Sequence, residues 1–164
     1  MPIEKDVEYA IKNLVLSVNT NELSITNEFS TDGIIRYNGI PISIMEFKIK
    51  RNLENEKTLA QIYCQAMCYY CKLIDKEVVD YDKPFYIIIG DDNEVSLINI
   101  HKMPNNWIRN SKWTSIAPSR ACKEEDLMET ATSMLNLVPP IYYKYEDIKE
   151  LAFGFHLLFT DILI

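Results

Sequence analysis

The alternation of apolar and polar positions is clearest between residues 31 and 48, where two isoleucine-rich runs flank Asn38 and Gly39. An Asn-Gly pair between two such runs is the strongest short-range signal for a β-hairpin, because both turn positions accept a positive φ. The second run is apolar on both faces of the strand, which is typical of a strand inside a sheet. The pattern therefore predicts a hairpin over about residues 30–50, with a central second strand.

Helical and extended patterns alternate along the rest of the first hundred residues. Apolar positions recur at helical spacing over residues 4–18 and again over residues 58–72. A short edge strand is predicted between these helices, at 22–29. After the second helix, Pro84 begins an apolar strand, FYIIIG, which is followed by a turn and by a second hairpin arm over 94–101. Helices and strands in this order predict an α/β fold.

The last third of the chain has less regular patterning. Residues 102–122 hold two tryptophans and two prolines without a clear period, and we expect a structured loop or a substrate-contacting insertion. A helix is predicted over Lys123–Leu137, with acids at its start and Pro139-Pro140 after its end. A last, very apolar helix is predicted over 145–163. Because one face of a small sheet cannot cover all of its side chains, we expect this helix to contribute to a homodimer or a partner interface.

Length, composition and charge restrict the classes of protein to consider. A chain of 164 residues with 48% apolar residues is long enough for one domain, 1–164, with a real core. No apolar run reaches the roughly 18 residues that a membrane span needs, and the N-terminus is charged, so we expect an intracellular protein with no membrane partner. The net charge of −7 is opposite in sign to that of proteins with a long basic surface for duplex DNA.

Three charged side chains lie at the outer ends of the two strands of this apolar hairpin. Asp32 opens the first strand, and Glu46 and Lys48 lie two residues apart on the second, so they share one face of the sheet. Burying these charges costs several kcal/mol unless something compensates, and a cation between Asp32 and Glu46 would do so. The alternative is a turn aspartate with a Glu–Lys pair on a solvated strand.

The ordered set of Asp32, Glu46-Phe47-Lys48 and Gln65-Ala-Met-Cys-Tyr69 resembles the active-site signature of the PD-(D/E)XK nuclease superfamily. Thr31 stands before the first acid in place of proline. The Gln-x-x-x-Tyr element resembles that of the RecB-like and type I restriction-subunit branches. The resemblance covers about residues 4–101. It implies a restriction endonuclease-like core, in which a central mixed β-sheet is flanked by α-helices.

The same resemblance implies a site for Mg²⁺, with Mn²⁺ able to substitute. Its ligands would be the carboxylates of Asp32 and Glu46, the backbone carbonyl of Phe47 and, from the first helix, Glu8, for which Glu4 is the competing candidate. Oxygen ligands of this kind suit hard cations.

The other site residues follow from the resemblance as well. Lys48 would activate water or stabilise the transition state, and Gln65 and Tyr69 would position the active site and the bound nucleic acid, helped by Lys50 and Arg51. The implied function is metal-dependent hydrolysis of DNA phosphodiester bonds. The alternative is a catalytically inactive nuclease-like interaction module or a subunit of a larger nucleic-acid-processing complex, which the acidic charge favours.

Two further groups of residues allow two interpretations each. Cys64, Cys68 and Cys71 share one side of the predicted second helix, so they could bind zinc, but reduced thiols packed as small hydrophobes fit the spacing better. Trp107 and Trp113 could stack on unpaired bases or could pack their loop against the body of the protein.

Overall fold

The hairpin around Asn38 and Gly39 is the first continuous part of the fold. The computed structural model describes residues 12–13, 23–27, 31–48, 51–100 and 103–144. Strands β2 (Gly33–Tyr37) and β3 (Ile40–Phe47) are antiparallel, and the two turn residues have φ values of 49° and 83°. Both values lie in the left-handed region that Asn and Gly tolerate. The predicted hairpin is therefore confirmed.

The hairpin belongs to a six-stranded mixed sheet whose strands follow the order of the chain, β1 to β6. All neighbours are antiparallel except β3 and β4, which are parallel. A parallel pair needs a crossover connection, and a helix supplies it here. The α/β class and the mixed sheet agree with expectation. The remaining strands are β1 (Leu23–Thr26), β4 (Tyr86–Gly90), β5 (Glu94–Asn99) and β6 (Ile141–Lys144).

The crossover helix α1 spans Glu56–Asp75. It begins where the Asn55 side chain accepts a hydrogen bond from the Thr58 amide at 3.0 Å, which is a standard N-cap. Helix α1 is the centre of the main core, where it packs against β3, β4 and the helices that follow. This packing fixes which face of the sheet α1 covers, and that face carries Ile34, Ile44 and Ile87.

Residues 103–137 are more helical than the sequence predicts. Two helices of four residues, α2 (Asn105–Ile108) and α3 (Lys112–Ser115), lie in the stretch expected to be a loop, and a 3₁₀-helix spans Pro118–Lys123. Elements this short show no period in the sequence. The helix that the sequence predicts over Lys123–Leu137 is present as α4 (Glu125–Leu137).

The tryptophans in this region hold it to the body of the protein. Trp113 is fully buried, and its indole N–H donates to the Trp107 carbonyl at 2.9 Å, while Trp107 packs at the edge of the core. The interpretation that Trp113 stacks on an unpaired base is therefore wrong, because the ring of Trp113 has no exposed surface.

Strand β6 corrects the expectation of a purely helical C-terminal part, because it lies between the helices predicted over 123–137 and 145–163. It follows Pro139-Pro140 and pairs with β5. The predicted helix at 145–163 and its proposed interface lie outside the described residues. Of the predicted helix at 4–18, the structure describes Lys12 and Asn13, and both are helical.

Within the described ranges, no helix combines the length and the apolar character that a bilayer crossing requires.

Candidate functional site

Asp32 and Glu46 lie opposite each other where β2 and β3 meet. The register pairs Gly33 with Met45 and Ile34 with Ile44, so one step further along it Asp32 faces Glu46. Residues directly opposite in an antiparallel pair have Cβ atoms about 5 Å apart on the same face. That face is the one α1 covers, since Ile34 and Ile44 belong to the α1 core.

Two hydrogen bonds, one from a backbone amide and one from a side chain, hold Asp32 in place. Its carboxylate Oδ2 accepts a hydrogen bond from the Phe47 amide at 2.7 Å, and its carbonyl accepts one from the Asn27 side chain at 2.9 Å. Asn27 Oδ1 in turn accepts from Lys12 Nζ at 2.9 Å. No sequence motif marked Asn27 or Lys12, because their relation to Asp32 depends on how the chain folds back.

Glu46 and Lys48 lie on the same face of the sheet but differ in their exposure to solvent. Glu46 is 3% exposed, whereas Lys48 is half-buried at the end of the strand. The Lys48 amide donates to the Gly90 carbonyl at 2.9 Å, which keeps the backbone of Lys48 beside the end of β4. Lys48 therefore remains in line with Glu46 beyond the last residue of the strand, with access to solvent.

Helix α1 supplies Gln65 and Tyr69 to the same place. They lie one helical turn apart, are both half-buried, and are hydrogen-bonded to each other through their side chains. The pKa of the Tyr69 phenol is raised, chiefly by burial and also by the negative charges of Glu46 and Asp32, while the hydrogen bond from Gln65 opposes the rise. The phenol thus lies within electrostatic reach of both carboxylates.

The donor set at this point fits a hard divalent cation. Two carboxylates face each other, and because the Phe47 amide points to the Asp32 side of β3, strand geometry turns the Phe47 carbonyl to that side as well. Mg²⁺ is commonly bound through one or two carboxylates and completes its shell with water. Nowhere in the described ranges do three His, Cys, Asp or Glu side chains gather around one point, so any ion here would keep several waters.

The remaining candidates do not all join this site. Glu8, Glu4 and Lys50 lie outside the described residues. Arg51 is exposed and lines a separate cavity beside Glu94 and Lys144.

The three helix cysteines are packed thiols. Cys64, Cys68 and Cys71 are buried, Cys64 approaches the Leu127 carbonyl, and Cys71 approaches the Ile108 carbonyl. Burial raises the pKa of Cys64 to about 12 and of Cys68 to about 11. Thiols with such pKa values stay protonated at neutral pH, which confirms that they act as small hydrophobes.

The chain matches no protein-family model, no curated protein and no solved structure.

Proposed function

We propose that this protein is a metal-dependent nuclease that hydrolyses DNA phosphodiester bonds. The observation that carries the proposal is the register of the hairpin, which sets Asp32 opposite Glu46 on the face covered by α1. Tyr69 reaches the same place from the helix. Asp32, Glu46, Gln65 and Tyr69, which the family resemblance singles out in the sequence, thus lie around one point, with Lys48 next to it.

We also propose that the sheet is a restriction endonuclease-like core. Three antiparallel strands, a crossover helix and a parallel fourth strand place the acids and Lys48 at one end of the sheet, and α1 covers them. The support is this arrangement together with the sequence motif, and it extends over β1 to β4.

Asp32, Glu46 and the Phe47 carbonyl would hold Mg²⁺ or Mn²⁺, which would supply charge stabilisation to the phosphate and lower the pKa of a bound water. Lys48 has three N–H donors on a flexible stem and partial access to solvent, so it would orient the attacking water or stabilise charge on the phosphate oxygens. Gln65 would hold the Tyr69 hydroxyl against the carboxylates, so that the phenol helps to orient the substrate.

The charge of the molecule limits how it would hold its substrate. With a net charge of −7, a long nonspecific contact with a phosphate backbone is unfavourable. Contacts confined to a few local cations such as Lys48 agree better with this balance. We therefore expect binding that depends on the divalent ion and is weak in its absence.

The experiment that tests the proposal is a cleavage assay with the full chain and Mg²⁺ or Mn²⁺. Duplex, single-stranded and branched DNA and an RNA of matched sequence serve as substrates. We expect cleavage of at least one DNA substrate, loss of cleavage on addition of EDTA, and loss in Lys48→Ala. Cleavage that is equal in wild type and Lys48→Ala would exclude this site as its source, and no cleavage of any substrate would favour the interaction-module alternative.

A further inference from the structure

A second pair of acids lies at the same end of the sheet, two strands away from the first. Asp91 directly follows β4, and Glu94 is the first residue of β5. The register pairs Gly90 with Val95, so Asp91 faces Glu94 one step further, and the Asp91 amide donates to the Glu94 carbonyl at 3.0 Å. Both are buried, with exposures of 0% and 4%.

Each of the two carboxylates has one satisfied and one unsatisfied oxygen. Asp91 Oδ1 accepts hydrogen bonds from the Asn93 and Glu94 amides, both at 2.8 Å. The Glu94 carboxylate accepts one from the Glu54 amide. Asp91 Oδ2 and Glu94 Oε2 are buried and find no donor among the residues that the structure describes. A buried polar atom without a partner destabilises the folded state, so a ligand that pairs with these two oxygens would be stabilising.

A cavity of about 440 Å³ opens beside Glu94. Tyr142 anchors one wall, since its hydroxyl donates to the Leu53 carbonyl at 3.1 Å and so keeps Glu54 next to Glu94. Five of the lining side chains carry oxygen and two are cationic, namely Asn52, Glu54, Asp92, Asn93 and Glu94 with Arg51 and Lys144. Both cations are exposed, so their charged ends can extend into solvent.

The electrostatics of this pair favour a positively charged ligand. Burial raises the pKa of both carboxyls, and the charges of Glu54 and Asp91 raise that of Glu94 further, while Lys144 opposes the rise. The carboxylates thus repel each other, in surroundings that cannot solvate them well. A cation would pair with the two unsatisfied oxygens, Asp91 Oδ2 and Glu94 Oε2, and would remove this repulsion.

We propose that Asp91 and Glu94 bind a hard divalent cation, separate from the centre at Asp32 and Glu46. Since no third acid, His or Cys among the residues that the structure describes joins this pair in one group, water from the cavity and neighbouring amide or carbonyl oxygens would complete the shell of the ion, as is usual for Mg²⁺. The site stands whether or not the protein is a nuclease, because it uses none of the residues proposed for the reaction.

Calorimetric titration with Mn²⁺ tests the site on the full chain. The variant Asp32→Asn/Glu46→Gln removes the first pair of ligands, and we expect it to retain one Mn²⁺-binding event. Adding Glu94→Gln should abolish that event, whereas adding Glu129→Gln, which neutralises an exposed acid on α4, should leave it unchanged. If circular dichroism shows that the Asp32→Asn/Glu46→Gln variant is not folded, the single variant Glu94→Gln serves instead. It should bind one Mn²⁺ ion fewer than the wild type.

Two results would overturn this second site. One is a folded Asp32→Asn/Glu46→Gln variant that takes up no Mn²⁺, and the other is an unchanged titration after Glu94→Gln. Neither depends on cleavage, which is measured separately: a wild type that binds Mn²⁺ through Glu94 but cuts no nucleic acid would contradict the nuclease proposal alone.

Discussion

The two pairs of acids are built in the same way and differ in what surrounds them. Asp32 faces Glu46 across the β2–β3 hairpin, and Asp91 faces Glu94 across the β4–β5 hairpin, at the same end of the sheet. In the first pair, Asp32 is half-exposed and lies beside polar groups of α1. In the second pair, both side chains are buried, and each has an oxygen without a hydrogen-bond partner in the part of the chain that the structure describes.

This difference shows that a pair of facing carboxylates does not by itself make a catalytic site. Chemistry on a bulky phosphodiester needs access, and the first pair has a half-exposed acid with Lys48 beside it. The second pair is accessible to an ion and water at most. We therefore assign catalysis to the first pair and cation binding without catalysis to the second.

The largest expected effect separates the two pairs by activity. Lys48→Ala should lower cleavage by about 10²–10⁴-fold while Mn²⁺ binding survives, because lysine is not a ligand and acts only on water or phosphate. Glu46→Ala should lose both cleavage and the first bound ion, since it removes a coordinating oxygen. Single-turnover cleavage of a labelled oligonucleotide and calorimetry measure the two properties.

Lys57→Ala is the matched control for that prediction, because Lys57 is an exposed lysine in the first turn of α1. Parallel loss of metal binding and cleavage in Lys48→Ala would show that the lysine supports the fold of the site instead of the reaction.

The second prediction concerns the stabilisation that metal provides. An ion present at about 100 times its dissociation constant stabilises the fold by about 2.7 kcal/mol per site. Thermal melts with and without Mg²⁺ should therefore show a reduced metal response in Glu46→Gln, a reduced response in Glu94→Gln, and no response in the double variant. A Glu46→Gln protein that responds to Mg²⁺ as the wild type does would remove the catalytic interpretation of the first pair.

The third prediction uses pH and applies to the second pair alone. A carboxyl whose pKa is raised by folding contributes stability below its unfolded pKa, about 4.3 for Glu, and loses it as the pH rises through the folded pKa. In EDTA, Glu94→Gln should therefore be more stable than wild type by about 1 kcal/mol at pH 7, and the difference should vanish towards pH 4.

Urea unfolding at several pH values measures this difference, and Glu129→Gln should stay within about 0.5 kcal/mol of wild type throughout. A Glu94→Gln protein that is less stable than wild type at pH 7 would mean that the Glu94 charge already has a partner in the folded protein.

The smallest expected effect concerns Lys144, an exposed residue beside the second pair. Lys144 holds down the pKa of Glu94 by its charge, so Lys144→Met should shift the titration of the Glu94 carboxyl to higher pH. Carboxyl ¹³C chemical shifts report this directly. Lys112→Met removes a lysine that pairs with Asp126 instead, and it should leave the Glu94 titration in place.

Local signals in the sequence determined much of the fold. Asn38-Gly39 specified its turn because few residues adopt two successive positive φ values, and the apolar run after Pro84 specified a buried strand. The spacing of Glu46 and Lys48 put both side chains on the same face of the sheet. The helical period put Gln65 and Tyr69 at the margin of the apolar stripe of α1, and both are half-buried in the structure.

Only the tertiary structure decided what lies beside what. The sequence at residues 90–93 indicated a turn, and Asp91 does accept hydrogen bonds from the turn amides. Its burial with Glu94, however, depends on the loop at residues 51–54 and on β6. Strand β6 is too short to leave a pattern in the sequence. Asn27 likewise reaches Asp32 through the folded chain. Periodicity encodes which face a side chain takes, whereas burial and unsatisfied polar atoms arise from contacts between segments distant in sequence, and these set the chemistry of both acid pairs.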